Sequence, residues 1–287
     1  LVQNNTFQNN RQSDIIMLSV DNGIIQNNDM SGLKCGRNGD GQRHTSSIFM
    51  HVGATNGSNG NLFKGNAIHD FENSNNCGIS YGGVYDFWGG LWCDVGPGSN
   101  TIDSNHIYNI NQGIKGVGAT GAHIEARCFD WTVKNNIVHD VGDNCISQRN
   151  YGDPNPANWD HPPTKYYNNT FYNCGSQVAN MVSGLVDFRN NIIYGVNSDA
   201  LIAFGFNSAN LNTINNNVYF DSATSSRVGQ NDYANGGQPV NFTTWKSLCN
   251  CDAQSVFANP QFVNIATSDF HLATGSPAID NGQTIAA

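Results

Sequence analysis

Charge is scarce in this chain. Asp, Glu, Lys and Arg together make up 12% of its 287 residues, about half the share of roughly a quarter usual in globular domains. Thirteen basic residues stand against 22 acidic ones, for a net charge of −9. That balance excludes the basic surface needed to hold nucleic acid or an anionic membrane. Proline is sparse, at 8 residues. No apolar run approaches the roughly 18 residues needed to cross a bilayer. Intrinsic disorder is excluded too, because aromatics reach 10% and disordered chains are poor in them. None of the eight cysteines forms a CxxC pair, which removes zinc ribbons and thioredoxin-like motifs.

Asparagine takes the place of charge, often doubled, together with 31 glycines. The length suits one large domain or two small ones. An even cysteine count in such a polar, low-lysine chain fits secretion with a few disulfides, and fits equally well free thiols stacked in a core. Cys249 and Cys251 read as too close for easy mutual pairing. The chain opens at Leu1, already inside a repeat, as a processed or truncated chain would.

The repeat decides the fold. The second members of the Asn-Asn-like pairs are Asn5, Asn28, Asn66, Asn105, Asn136, Asn169, Asn191 and Asn217. Three residues before them stand Val2, Ile25, Phe63, Ile102, Val133, Tyr166, Phe188 and Ile214. Two residues after them stand Phe7, Met30, Ile68, Ile107, Val138, Phe171, Ile193 and Tyr219. All the flanking positions are apolar. The spacings are 23, 38, 39, 31, 33, 22 and 26, so a fixed coil of about 22 residues is interrupted by loops. Short β-branched and aromatic segments separated by Asn/Gly turns exclude a helical solenoid. They predict an all-β, single-stranded, right-handed parallel β-helix of eight to nine coils, stacked at about 4.8 Å. The repeated asparagine is then an internal ladder. Coils are expected over 1–221 and a C-terminal capping segment with closing strands over 222–287, including Trp245, since an open sheet end invites association.

The chain also resembles a known group. Asn135-Asn136-Ile137-Val138-His139-Asp140 and Asn190-Asn191-Ile192-Ile193-Tyr194 carry the coil pattern of the pectate-lyase-like parallel β-helix superfamily. Ala258-Asn259-Pro260-Gln261-Phe262-Val263, Asp269-Phe270-His271-Leu272 and Gly275-Ser276-Pro277-Ala278-Ile279-Asp280 resemble the closing segment of many such secreted proteins. The resemblance implies the fold over nearly the whole chain. It leaves activity open, because the superfamily includes lyases, hydrolases, epimerases and fibres.

Aligning coils on the asparagine sets Leu91-Trp92-Cys93-Asp94 beside Ala122-His123-Ile124-Glu125. Alternation sends Leu91, Cys93, Ala122 and Ile124 inward, with Ile124 between Cys93 and Ile146, and Trp92, Asp94, His123 and Glu125 outward. Asp94 and Glu125 then occupy equivalent positions one strand apart, with His51 and Ser147 expected in the same column. Two carboxylates at that spacing suit a nucleophile and an acid/base. Catalysis is assigned to Asp94, Glu125 and His51, and substrate binding to Trp92, His123, Trp88, Ser147, Arg127 and Arg149. The two arginines would clamp a uronic acid if the enzyme were a lyase. Insertions near 35–60, 72–89 and 148–163 bring Tyr81, Tyr85, Phe87, Trp88, Tyr151 and Trp159 as cleft walls. His44, His69, His106, His139 and His271 read as structural or solvated.

The expected function is an extracellular polysaccharide-active enzyme, a glycoside hydrolase ahead of a polysaccharide lyase. The alternative is a non-catalytic fibre or adhesion protein, which end-to-end or homo-oligomeric association would suit. No cofactor is expected, with Ca²⁺ between the carboxylates as the competing reading.

Overall fold

The computed structural model describes residues 1–11, 13–34, 45–51, 59–71, 88–95, 98–110, 119–124, 130–148, 162–181, 185–196, 198–204, 213–231 and 237–285. It is a parallel β-helix. Each coil contributes one strand to each of three parallel sheets. Sheet 1 has eight strands, from Val2–Gln3 to Thr213–Asn215. Sheet 2 has nine, from Thr6–Gln8 through Val218–Asp221 to a closing rung at Val256–Phe257. Sheet 3 has eight, from Ile15–Leu18 to Gly229–Asn231. The coils stack in register, as in Ile102 beside Val133 and Ile107 beside Val138.

The doubled asparagine does two jobs. The first residue of each pair turns the chain from sheet 1 into sheet 2 with a left-handed backbone. Asn4, Asn27, Gly65, Ser104, Asn135, Asn168, Asn190 and Asn216 all have φ between 53° and 62°. Asn and Gly tolerate that region best among the common residues. The second residue points inward and builds the ladder. Asn105 donates its backbone N–H (2.9 Å) and its Nδ2 (3.0 Å) to Asn136 Oδ1, and its other amide proton to the Phe63 carbonyl (2.9 Å). The pattern runs unbroken from Asn5 to Asn217. A buried amide is costly without partners; here every rung supplies them.

The residues flanking the ladder form the core. Phe63, Tyr166 and Phe188 of sheet 1 and Met30, Phe171 and Tyr219 of sheet 2 are fully buried. Cys145 and Cys174, on adjacent coils, are joined by a disulfide, and Cys93 is disulfide-bonded as well. Cys249 and Cys251 are also bonded to each other, against the expectation from their spacing. Asn250 between them ends the helix Phe242–Cys249 in the left-handed region (φ 47°, ψ 41°). That folds the chain back sharply and brings the two Cα atoms to 5.1 Å, within disulfide range.

The helix covers the last coil. Asn241 caps its first turn by accepting from the Thr244 N–H. Trp245 is fully buried and stacks on Phe204, with ring centroids 5.7 Å apart. Its indole lies so close over Gly229 that a Cβ there would fall 2.1 Å from it, so only glycine fits. The chain then returns as an antiparallel hairpin, Phe262–Asn264 and Asp269–Leu272, on the outer face of sheet 2. Phe270 rests against His139 and Tyr172, and Phe262 against Tyr194.

Candidate functional site on the outer face of sheet 3

Sheet 3 is where the repeat is most interrupted. Among the segments outside the described residues, 35–44, 72–87 and 111–118 precede its strands in the chain, and 52–58, 125–129, 149–161, 182–184 and 205–212 follow them. The register confirms the first part of the sequence alignment. Ile48, Leu91 and Ala122 form one column, Phe49, Trp92 and His123 the next, and Met50, Cys93 and Ile124 the third. Ile48, Met50, Leu91 and Cys93 belong to the core, and Phe49 and Trp92 alternate with them on the other face of the sheet.

Two register expectations are corrected. His51 pairs with Val95, not with Asp94, because the ladder slips between Met50 and His51. Strand Trp88–Val95 carries an extra residue there, a β-bulge that leaves Asp94 unopposed on that side. Ser147 pairs with His123 rather than Glu125, and Ile146 sits beside Ala122, so the neighbours of Ile124 are Cys93 and Gln148. This is a two-residue slip, which keeps inward residues inward and so left no trace in the hydrophobic pattern.

The structure places the remaining site residues unevenly. Trp88, Asp94 and His123 are described by backbone alone, as is His51. Glu125, Arg127 and Arg149 lie outside the described residues, as do Tyr81, Tyr85, Phe87, Tyr151 and Trp159. Trp92 keeps 2% of its surface, so its ring is covered rather than open, and it packs on Phe49 at 5.3 Å. Ser147 is fully buried, and its register neighbour Asn180 nearly so. Among the described residues, Ser147 Oγ and Asn180 Oδ1 have no hydrogen-bond partner. Buried polar atoms are rarely left unpaired, and Asn180 was not singled out by the sequence reading.

A second polar array lies on the outer face of sheet 2. Three residues after successive ladder asparagines stand His69, Tyr108, His139, Tyr172, Tyr194 and Phe220, in register. His69, Tyr108 and His139 stack nearly parallel, at 4.7 and 5.2 Å. Each of the first four is followed by a left-handed Asp or Asn: Asp70, Asn109, Asp140 and Asn173. His69 Nδ1 lies 2.8 Å from Asp70, and His139 Nδ1 lies 2.7 Å from Asp140. Asn109 and Asn173 donate to those same carboxylates. Burial raises both carboxyls, but the hydrogen bonds from His69 and Asn109, or His139 and Asn173, outweigh it and hold them below the usual range. His106 Nε2 meets His139 Nε2 at 2.9 Å. Burial, and then the charges of His139 and His69, push His106 down to about 4. Asp140, His139 and His106 thus form one hydrogen-bonded line. The sequence signal was the fixed offset from the ladder, which the core-directed alignment did not use.

Among the described residues, the groups able to surround a metal ion reduce to Cys249, Cys251 and Asp252. Both sulfurs are consumed by their disulfide. Asp252 accepts from Asn217, Tyr219, Trp245 and Ser255, so this cluster is no metal centre. Compared with known proteins, the chain matches no family model, no curated protein and no solved structure. What is established is the class: a parallel β-helix with an internal asparagine ladder.

Proposed function

We propose that the chain is an extracellular polysaccharide-acting enzyme, related to the pectate-lyase-like superfamily its coils resemble, and that Asp94 is its chemical centre. The observation that carries the reading is the β-bulge at Asp94, on the sheet that borders most of the long excursions. Bulges next to active sites re-aim a side chain that regular pairing would hold in the ladder. If the Cys93–Ile124 register continues by one rung, Asp94 stands one strand spacing from Glu125. That spacing is close to the roughly 5–5.5 Å of retaining glycosidases. Like charge would raise one carboxyl and make it the acid/base, with the other as nucleophile. Ser147 and Asn180, buried beside this column with unpaired oxygens, suit sugar hydroxyls. The disulfides suit an oxidising, extracellular compartment.

The test is a depolymerisation screen over neutral and uronic-acid polysaccharides, following reducing ends and the ultraviolet absorbance of unsaturated products. Reducing ends without absorbance identify a hydrolase, and both together a lyase. Asp94→Asn and Glu125→Gln should each lower turnover by orders of magnitude with folding intact. Full activity in both variants places the chemistry elsewhere. A fibre or adhesion scaffold is the second reading, favoured by exposed Ile16 and Leu18 on the first strand of sheet 3. Cleavage of none of the polysaccharides decides for it.

A further inference from the structure

The two disulfides with both partners among the described residues are placed in opposite ways. Cys145–Cys174 ties adjacent coils over a sequence separation of 29, and both residues sit in the core. Cys249–Cys251 closes around a single residue, Asn250, where the cap helix ends. Asn250 is exposed and Cys251 is half-buried, whereas Cys249 keeps 3% of its surface. A thiolate arriving from solvent therefore approaches this pair from the Cys251 side. It is shut out from Cys145 and Cys174, which keep 0% and 1%.

The pair also does little as a brace. A disulfide stabilises mainly by restraining the unfolded chain, and the restraint grows with the loop that it closes. Cys249–Cys251 closes by far the shorter of these two loops. The corner is held without it as well. Asp252, the next residue, accepts from Asn217, Tyr219, Trp245 and Ser255. The Lys246 ammonium donates to the Ala253 carbonyl at 3.2 Å. None of these bonds passes through sulfur, so opening the disulfide is a local change at the helix end. Disulfides that are reachable and contribute little to the fold are the labile ones, and buried cross-links are the structural ones.

We propose that Cys249–Cys251 is a thiol–disulfide exchange site that takes two electrons from a dithiol. A thiolate of the donor attacks Cys251 Sγ, the Cys249–Cys251 bond breaks, and Cys249 leaves as a thiolate. The donor's second thiolate then attacks its own sulfur in the mixed disulfide and releases Cys251. The donor ends as a disulfide, and the protons its two thiols lost are taken up by Cys249 and Cys251. The site lies in the cap, apart from sheet 3, and does not depend on Asp94.

The test uses the folded full chain at graded ratios of reduced to oxidised dithiothreitol, with alkylation of free thiols and peptide mass mapping. Cys249 and Cys251 should be alkylated together at a ratio at least about tenfold lower than the one that opens Cys145–Cys174, a gap of about 30 mV. Circular dichroism should stay unchanged at that lower ratio. Reduced glutathione, a monothiol, should stop at the mixed disulfide, and its mass should be found on Cys251. The double variant Cys249→Ser/Cys251→Ser should melt within about 5 °C of the parent. The proposal is overturned if both disulfides open together, if Cys145–Cys174 opens first, if glutathione is found on Cys249, or if the double variant fails to fold.

Discussion

Asn217 donates its side-chain amide to Asp252 at 3.3 Å, so the ladder of amides running through the helix ends on a buried carboxylate. Asn217 also donates its backbone N–H to Ser255 Oγ at 2.8 Å. Tyr219 O–H (3.0 Å) and Trp245 Nε1 (2.8 Å) donate to the other oxygen of Asp252. One side chain thus receives the end of the ladder, a core tyrosine and the cap's tryptophan. Burial raises the Asp252 carboxyl, and these donors work against that rise.

Asp252→Ala should therefore cost about 3–5 kcal/mol, because it strands several buried donors at once. Asp252→Asn keeps the shape but turns a donor towards donors, and should cost about 1–3 kcal/mol. Denaturant unfolding checks both, and an alanine variant as stable as the parent would show that the junction does not hold the cap.

The two members of an asparagine doublet should be separable by mutation. Asn135→Gly keeps the left-handed turn (φ 58°) and should change stability by less than about 1 kcal/mol. Asn136→Gly removes a ladder rung and leaves the Asn105 backbone N–H and one of its side-chain amide protons without an acceptor, for a loss of about 2–4 kcal/mol. Equal losses in thermal melts would mean that the doublet acts only as a turn.

Acid should weaken the fold through His106. Its folded value, about 4, lies below the ordinary 6.5. The folded state thus favours the neutral ring, and stability is complete above pH 6.5. It is lost as pH falls from 6.5 towards 4, where the unfolded chain takes up a proton that the folded one refuses. Discounted for partial exposure, the effect is on the order of 1–2 kcal/mol. The depressed carboxyls of Asp70 and Asp140 add a further loss below about pH 4, as their protonation ends the pairing with His69 and His139. His106→Gln should flatten the stability profile between pH 6.5 and 4.5; an unchanged slope would remove His106 as its source.

Phe270→Ala should release the C-terminal hairpin without opening the coils. Its ring lies 4.9 Å from His139 and 5.2 Å from Phe262, and its loss should cost roughly 1–3 kcal/mol locally. Amide exchange should quicken in Phe262–Asn264 and Asp269–Leu272 and stay slow along the ladder. Uniform protection would mean that the hairpin is held by other contacts.

The architecture was legible because it repeats. Asn105 and Asn136 with their apolar neighbours state the same local rule on every coil, and a rule met eight times outweighs any loop between. The ladder, the inward flanks and the Leu91–Ala122 and Trp92–His123 pairs followed from the chain alone. The aromatic column of His69, Tyr108 and His139 was written in it too, at a fixed offset. Ser147 was misplaced by two residues because inward and outward alternation is blind to a slip of that size. The bulge at Asp94 and the union of Cys249 with Cys251 were decided by backbone geometry, one extra residue in a strand and one left-handed residue between two sulfurs. The hydrogen bond from Asn216 Nδ2 to the Asn281 carbonyl joins positions 65 residues apart. Only the returning tail brings them together, since no local pattern encodes where a strand-free segment comes to rest.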